Sequence, residues 1–374
     1  MTRRDFSTAT SVATSLAATA AAAQTQRAKR RGNVHEFTPG LKIALQAGSD
    51  PTDDDLTFVK QLGLEWVTLN TSGAGGTVEN FKRIKAKVDA AGLKVWNIGN
   101  ANVHNMEEVT LNLPGRDAKI EEYKQFLRNL AATGVYYTTY AHMGNGIWST
   151  GREISRYSSG RAFDLSKAAD SGQWNGKKFS MPLSHGRKFT EKEIWDNYTH
   201  WVNQVVPVAE EVGVRIGVHP DDPPGIDLAG VPRCIFGNFA GYKRALEIAD
   251  SDNVGVCLCC GCWLEGGDRM GADVLTAIRY FGERNKLWKI HFRNTDKPLP
   301  HFVETHLDGG YMKMYLIMKT LVEVGFRGAV IVDHVPSMIG GPKVPWAYNI
   351  AYAKALLERA HDEVKRPAGS VRLG

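Results

Sequence analysis

From residue 41 onward, short apolar runs rich in β-branched residues alternate eight times with longer amphipathic runs, and this alternation constrains the fold more than any other feature. LKIALQAG (41–48), EWVTLN (65–70), KVWNIGN (94–100), VYYTTYAHM (135–143), RIGVHP (215–220), VGVCLCC (254–260), LWKIHFRN (287–294) and AVIVDHV (329–335) read as strands. Helical periodicity falls between and after them, over 53–62, 78–91, 119–133, 190–212, 239–250, 271–282, 312–324 and 346–362. Gly63, Gly92, Gly134, Gly213 and Gly325 each precede a strand, where a helix end favours a left-handed residue. The pattern predicts an α/β chain folded as a (β/α)8 TIM barrel. No linker or repeat divides it, so residues 34–374 are expected to form one barrel domain. The Gly-, Ser- and Lys-rich segment 144–187 is expected to be a long insertion after strand four, on the face where barrel active sites lie.

Four consecutive strands end in groups that bind metals. His219 closes strand five, Cys259 sits at the tip of strand six, His291 near the tip of strand seven and Asp333 near the tip of strand eight. Parallel barrel strands send their C-terminal ends to one mouth, so two imidazoles, a thiol and a carboxylate are predicted to converge there. Alternation puts Cys257 and Cys259 on one strand face, with Cys259 nearer the mouth, while Cys262 lies past the strand end and competes for the role. Singly, each His and Cys here reads as an ordinary buried residue; four candidates at equivalent strand ends read as a site. A mixed N, O and S donor set suits Mn2+, Fe2+, Co2+ or Zn2+ better than Mg2+.

Other polar residues surround this set. Asp221 and Asp222, in HPDDPP, either hold substrate or orient an imidazole, or else form a solvated turn. Arg293, two residues past His291, has the parity to reach the mouth and clamp a carboxylate; the alternative is an ion pair at the rim. Glu304, His306 and Asp308 follow strand seven, where they bind hydroxyls or cap the next helix. His334 and Tyr348 are candidates for proton transfer, although a tyrosine at a helix start is commonly a packing residue.

Composition, 43% apolar and 23% charged, excludes a disordered or collagen-like chain. The net charge of +6 is concentrated at the start. Arg3, Arg4 and Asp5 give residues 1–23 a net +1, and Arg27, Lys29, Arg30 and Arg31 give residues 24–33 a net +4, so +1 remains from Val34 onward. A nearly neutral body argues against a nucleic-acid partner. The paired arginines, the weakly apolar stretch Thr8–Ala23 and its closing alanines predict that residues 1–33 are a twin-arginine export signal and a flexible basic tail. The serines and threonines among residues 7–15 make it too polar for a lasting membrane anchor. The expected location is periplasmic, or cytoplasmic where the signal is unused. Of five cysteines, Cys257, Cys259, Cys260 and Cys262 crowd into six positions with Cys234 apart, which argues against a disulfide framework and suits a thiolate ligand.

HPDDPP, CLCCGCWLEGG, IHFRN, ETHLDGGYMKMY and VDHVP, with AEEVGVRIGVHPDDPP and the earlier KAKVDAAGLKVWNIGNANVH, closely resemble the mannonate dehydratase family of xylose-isomerase-like barrels. The resemblance implies a divalent ion, Mn2+ or Fe2+, and dehydration of D-mannonate to 2-keto-3-deoxy-D-gluconate in hexuronate (glucuronate) breakdown. It maps the metal ligands onto His219, Cys259, His291 and Asp333, the catalytic histidine onto His334 and the catalytic tyrosine onto Tyr348. Three stretches depart from the family pattern. YAHMGNGIW replaces a YNFMP-like stretch, so that His142 and Trp148 stand where substrate contacts are expected; IVDHVP replaces RPDHG, and Lys313 an acidic residue.

The expected activity is therefore a lyase acting on a small sugar acid, with Arg293 holding its carboxylate and Asp221, Asp222, His306 and His142 contacting the rest. The alternative is an exported metal-dependent sugar isomerase or epimerase on the same barrel; a third reading is an exported sugar-binding module with a structural metal. Homo-oligomerisation is left open.

Overall fold

The computed structural model describes residues 33–365. The export signal expected over residues 1–33 lies outside them, save for Asn33.

All eight strand–helix pairs form. The barrel strands are β1 (Lys42–Gln46), β2 (Trp66–Thr71), β3 (Lys94–Asn100), β4 (Tyr137–Tyr140), β5 (Arg215–Val218), β6 (Val254–Cys259), β7 (Leu287–His291) and β8 (Ala329–Ile331). The helices that follow them are α1 (Asp53–Gln61), α2 (Val78–Ala90), α3 (Arg116–Thr133), α4 (Glu191–Val212), α5 (Phe239–Ala249), α6 (Val274–Glu283), α7 (Met314–Glu323) and α8 (Val344–Val364). Ladders run in parallel from β3 through β2, β1, β8, β7, β6 and β5 to β4. Between β3 and β4 the ring is closed by the amide of Ala141 donating to the His104 carbonyl at 2.7 Å and by the Thr138 hydroxyl on the Ile98 carbonyl at 3.4 Å.

Local chemistry explains the boundaries. Thr52 with Asp55 and Thr190 with Glu193 form capping boxes that start α1 and α4. Gly134 (φ 76°) and Gly213 (φ 74°) end α3 and α4 in the left-handed conformation that a side chain would penalise. The outward faces of the strands pack against the helices in one large core, whereas Ala44, Trp96, Tyr137, Trp288, Ala329 and Ile331 form a separate small cluster.

The insertion is not a loop. Ile147–Trp148, Gly172–Trp174 and Lys177–Phe179 form a three-stranded antiparallel sheet. Gly151–Ser155 and Ser158–Asp164 form a hairpin that pairs with His301–Thr305, in the segment after β7. Trp148, Phe163, Phe179, Leu228 and Phe302 give this part its own apolar core. With Asn294–Thr295 pairing on the other edge of His301–Thr305, the insertion hairpin and the segment after β7 make one four-stranded sheet at the mouth.

Candidate active site

Strand parity sets the site. Cys257 faces Lys289 across the β6–β7 ladder and Cys259 faces His291, after a register shift that leaves Trp288 without a partner on β6. One ligand atom from each of Cys259, His291 and Asp333 lies within 4.8 Å of the others, and the same holds for His219, Cys259 and Cys262. The two groups share Cys259, and His219 Nε2 stands 3.1 Å from His291 Nδ1. The four strand-end residues therefore lie in two overlapping triads that share Cys259, with Cys262 completing the one that holds His219.

Their ring nitrogens are oriented from behind. His219 Nδ1 donates to the Pro220 carbonyl at 2.7 Å, which leaves the Nε2 lone pair for the cluster. His291 turns Nε2 toward Cys257 Sγ at 3.4 Å and Nδ1 toward Asp333 Oδ2 at 3.4 Å. Gln46 Nε2 donates to Asp333 Oδ1 at 3.2 Å. Burial raises the acidity cost of a thiolate at Cys259, yet the hydrogen bond with Cys262, the charge of Arg293 and hydrogen bonds from His219 and His291 outweigh it and hold this thiol well below the usual range. Burial, the hydrogen bond to Cys259 and its charge push the Cys262 thiol well up. Cys259 is thus the thiolate of the pair.

Arg293 does not reach the mouth as a carboxylate clamp. The side chain is 1% exposed; Nη1 donates to Glu265 at 2.7 Å and to Glu304, and Nη2 lies 3.2 Å from Cys259 Sγ and 3.3 Å from Cys262 Sγ. It packs so closely on Gly261 that a Cβ there would collide with the guanidinium. Arg161, from the insertion hairpin, completes this layer with Asp222 at 2.9 Å, Glu265 at 2.9 Å and Glu304 at 2.6 Å. Burial, with Asp222 nearby, drives Glu265 up to about 8 against the pull of both arginines, whereas both arginines overcome burial to keep Glu304 well below the carboxylate range.

His334 is 40% exposed at the opening, with Nδ1 3.0 Å from Glu304 Oε1 and Nε2 3.5 Å from Asp333 Oδ2. Although burial opposes it, those two carboxylates raise its imidazole to about 8. Asp222 is buried against Arg161, and burial pushes Asp221 up to about 6; neither forms a solvated turn. His306 bridges the Ser158 hydroxyl and the Asn349 amide, both at 3.0 Å, and so ties the insertion to α8. Tyr348 donates to Asp308 Oδ2 at 2.6 Å, with Arg156 against its ring. His142 is a correction. It sits outside the barrel, bonded to the Tyr140 hydroxyl at 2.8 Å and flanked by Tyr198 and Trp201 of α4, because Thr139 holds the inward parity on β4. Trp148 is wholly buried in the insertion core.

Next to this His–Cys–Asp cluster lies a cavity of about 290 Å³ bordered by Gln46, Thr68, Asn70, Asn97, Asn100, Thr139, His104, Lys289, His291 and Asp333. His104 Nδ1 donates to the Thr139 carbonyl at 3.0 Å, and burial, then the charge of His219, depresses its imidazole to about 3. A wider recess of about 710 Å³, bordered by Arg161, Glu304 and His334, adjoins the insertion, and Trp174 borders both spaces. Reading the sequence left Arg161, Glu265, Lys289, His104 and this amide-rich wall without a role. Only Lys289 had a readable signal: it stands two residues before His291 on the same strand face.

A family model described as D-mannonate dehydratase (UxuA) matches residues 55–358. "Mannonate dehydratase 2" of Halalkalibacterium halodurans is 31% identical over 325 residues, covering 80% of this chain and 92% of the relative. A mannonate dehydratase of Streptococcus suis is 30% identical over 303 residues, 76% of this chain and 81% of the relative. Among solved structures, mannonate dehydratase from Streptococcus suis serotype 2 superposes with a TM-score of 0.74 at 24% identity, covering 89% of this chain and all of that one. An L-ribulose 3-epimerase superposes with a TM-score of 0.55 at 13% identity, covering 90% of this chain and 100% of that one. These superpositions establish the xylose-isomerase-like barrel.

Proposed function

The chain belongs to the D-mannonate dehydratase family, and from that premise we propose that it is a metal-dependent hydro-lyase converting D-mannonate to 2-keto-3-deoxy-D-gluconate in hexuronate breakdown. The observation that supports this reading most is the clustering of His219, Cys259, His291 and Asp333 beside a polar cavity, with His334 against Asp333 and bordering the neighbouring recess.

The donor chemistry fits a divalent ion. Cys259 is poised as a thiolate, Asp333 is held well below the carboxylate range by His291 and His334 despite burial, and His219 presents a lone pair. Mn2+ or Fe2+, held by these four residues, would supply Lewis acidity toward substrate oxygens. The chain's own residues do the rest. Dehydration removes the proton at C2, next to the carboxylate, and the hydroxyl at C3; the enol so formed becomes the 2-keto acid, and one water leaves. We assign these proton movements to His334 and Tyr348. Glu304 and Asp333 fix the His334 ring at the opening, and Asp308 fixes the Tyr348 hydroxyl. The amides and hydroxyls of Gln46, Thr68, Asn70, Asn97 and Asn100 match a polyhydroxylated chain.

Purified protein supplied with Mn2+ or Fe2+ is expected to turn D-mannonate into a 2-keto-3-deoxy acid, seen by periodate–thiobarbiturate colour and a mass loss of about 18 Da, one water. Interconversion of sugars with no loss of water would instead establish an isomerase or epimerase.

Among the described residues no helix is long and apolar enough to cross a membrane. We propose, from the Arg3–Arg4 leader alone, that the protein is exported by the twin-arginine route. Cell fractionation is expected to find it in the periplasm and to find an Arg3→Lys/Arg4→Lys double variant in the cytoplasm; equal distribution of both would reject the signal.

A further inference from the structure

We propose that Lys289 is the residue that selects a carboxylate-bearing substrate over a neutral sugar, its ammonium group receiving the carboxylate inside the cavity beside the metal-ligating residues. This inference rests on the sugar-acid reading above and gives the anion its partner, a role the structure withholds from Arg293.

The β7 ladders place Lys289 opposite Cys257 on one side and Ala329 on the other, as they place His291 opposite Cys259 and Ile331. Both side chains therefore share the inward face, and Lys289 lies one layer deeper. It is 5% exposed and borders the 290 Å³ cavity. Among the described residues its ammonium group makes no hydrogen bond and has no carboxylate within ion-pairing distance; burial lowers its pKa against the pull of Cys257 and Asp333 from farther off. Burial of an ammonium without a partner costs several kcal/mol, so a stability argument alone would place an apolar side chain here.

The other buried cations near the mouth are engaged. Arg161 and Arg293 share Asp222, Glu265 and Glu304, and Arg233 donates to the carbonyls of Pro223 and Gly146. Among the described residues Lys289 is the one lysine or arginine bordering this cavity, whose remaining polar wall is mostly neutral amides and hydroxyls. A chain of hydroxylated carbons ending in a carboxylate matches that distribution: neutral donors and acceptors along the chain, one cation for its charged end.

The test compares D-mannonate with D-mannitol, which keeps the hydroxyls and lacks the carboxylate, on the metal-loaded protein. Calorimetry on the wild type is expected to show mannonate bound at least about tenfold tighter than mannitol. In Lys289→Met, KM and Kd for mannonate are expected to rise roughly 10- to 100-fold, the loss of one charge-assisted contact. Mannitol affinity and metal content should stay within about twofold of wild type. Lys289→Gln gives the same comparison should the Met variant not fold. Parallel weakening of both ligands, an unchanged mannonate Kd, or equal wild-type affinity for the two ligands overturns the assignment. Since binding is read without turnover, a wild type that dehydrates nothing would reject the proposed activity while the hexonate–hexitol comparison still decides the role of Lys289.

Discussion

Arg293→Leu is expected to cost about 3–5 kcal/mol of stability and to lower the melting temperature by roughly 5–15 °C, with loss of soluble yield. The reason is charge pairing in a closed layer. Arg293 and Arg161 together face Asp222, Glu265, Glu304 and the Cys259 sulfur. Glu265, driven up to about 8 by burial first and by Asp222 next, is mostly protonated at neutral pH. Two guanidinium charges then balance Asp222, Glu304 and Cys259 with a deficit of one, and His334 stands beside Glu304. Removal of Arg293 leaves Arg161 as the remaining guanidinium for the Asp222 and Glu304 carboxylates and the Glu265 carboxyl, all 0–3% exposed at the side chain. It also removes a charge that draws the Cys259 thiol down. Arg293→Lys should lie between leucine and wild type, because one ammonium cannot fork toward two carboxylates and two sulfurs. Thermal melts decide the matter. A leucine variant that melts within about 2 °C of wild type and loses only affinity for mannonate would restore the carboxylate-clamp role.

That contrast shows where sequence reading succeeds and where it stops. All eight strands and eight helices were legible because their signals are local: periodicity, caps such as Thr52 and Thr190, and left-handed glycines such as Gly134. The meeting of His219, Cys259, His291 and Asp333 was legible too, since parallel topology converts strand-end position into spatial proximity. Partners distant in sequence were not legible. Arg293 has the parity for the mouth, but Glu265 from 28 positions upstream and Glu304 from 11 downstream accept from its Nη1, and Arg161, 132 positions upstream, shares those two carboxylates. The hairpin strand Ser158–Asp164 pairs with His301–Thr305, so its Gly- and Ser-rich sequence reads as a loop until its distant partner is known. His142 failed for a simpler reason. A resemblance in sequence order placed it in the mouth, while alternation from Thr139 places it outside.

Cys259→Ala is expected to lower bound divalent metal below about a tenth of an ion per chain and to reduce turnover on the order of a thousandfold. A catalytic ion supplies several kcal/mol of charge stabilisation, and about 4 kcal/mol corresponds to that factor. The fold should survive, because Cys259 belongs to the mouth while the barrel's main core packs behind it. Neighbouring cysteines make the controls. Cys260 has the opposite parity and packs in the main core, so Cys260→Ala should leave metal content unchanged and lower stability modestly. Cys257 stands 3.4 Å from His291 Nε2, on the side away from Asp333, so Cys257→Ala should weaken metal affinity roughly 10- to 100-fold by loosening that ring. Cys262 separates the two overlapping donor groups. If the ion sits with His219, Cys259, His291 and Asp333, Cys262→Ala retains it and Asp333→Ala loses it; if the ion sits with His219, Cys259 and Cys262, the two outcomes exchange. Metal analysis of the four cysteine variants and Asp333→Ala, with circular dichroism to confirm folding, reads all of these at once. A Cys259→Ala protein that keeps one ion per chain would remove the thiolate from the ligand set.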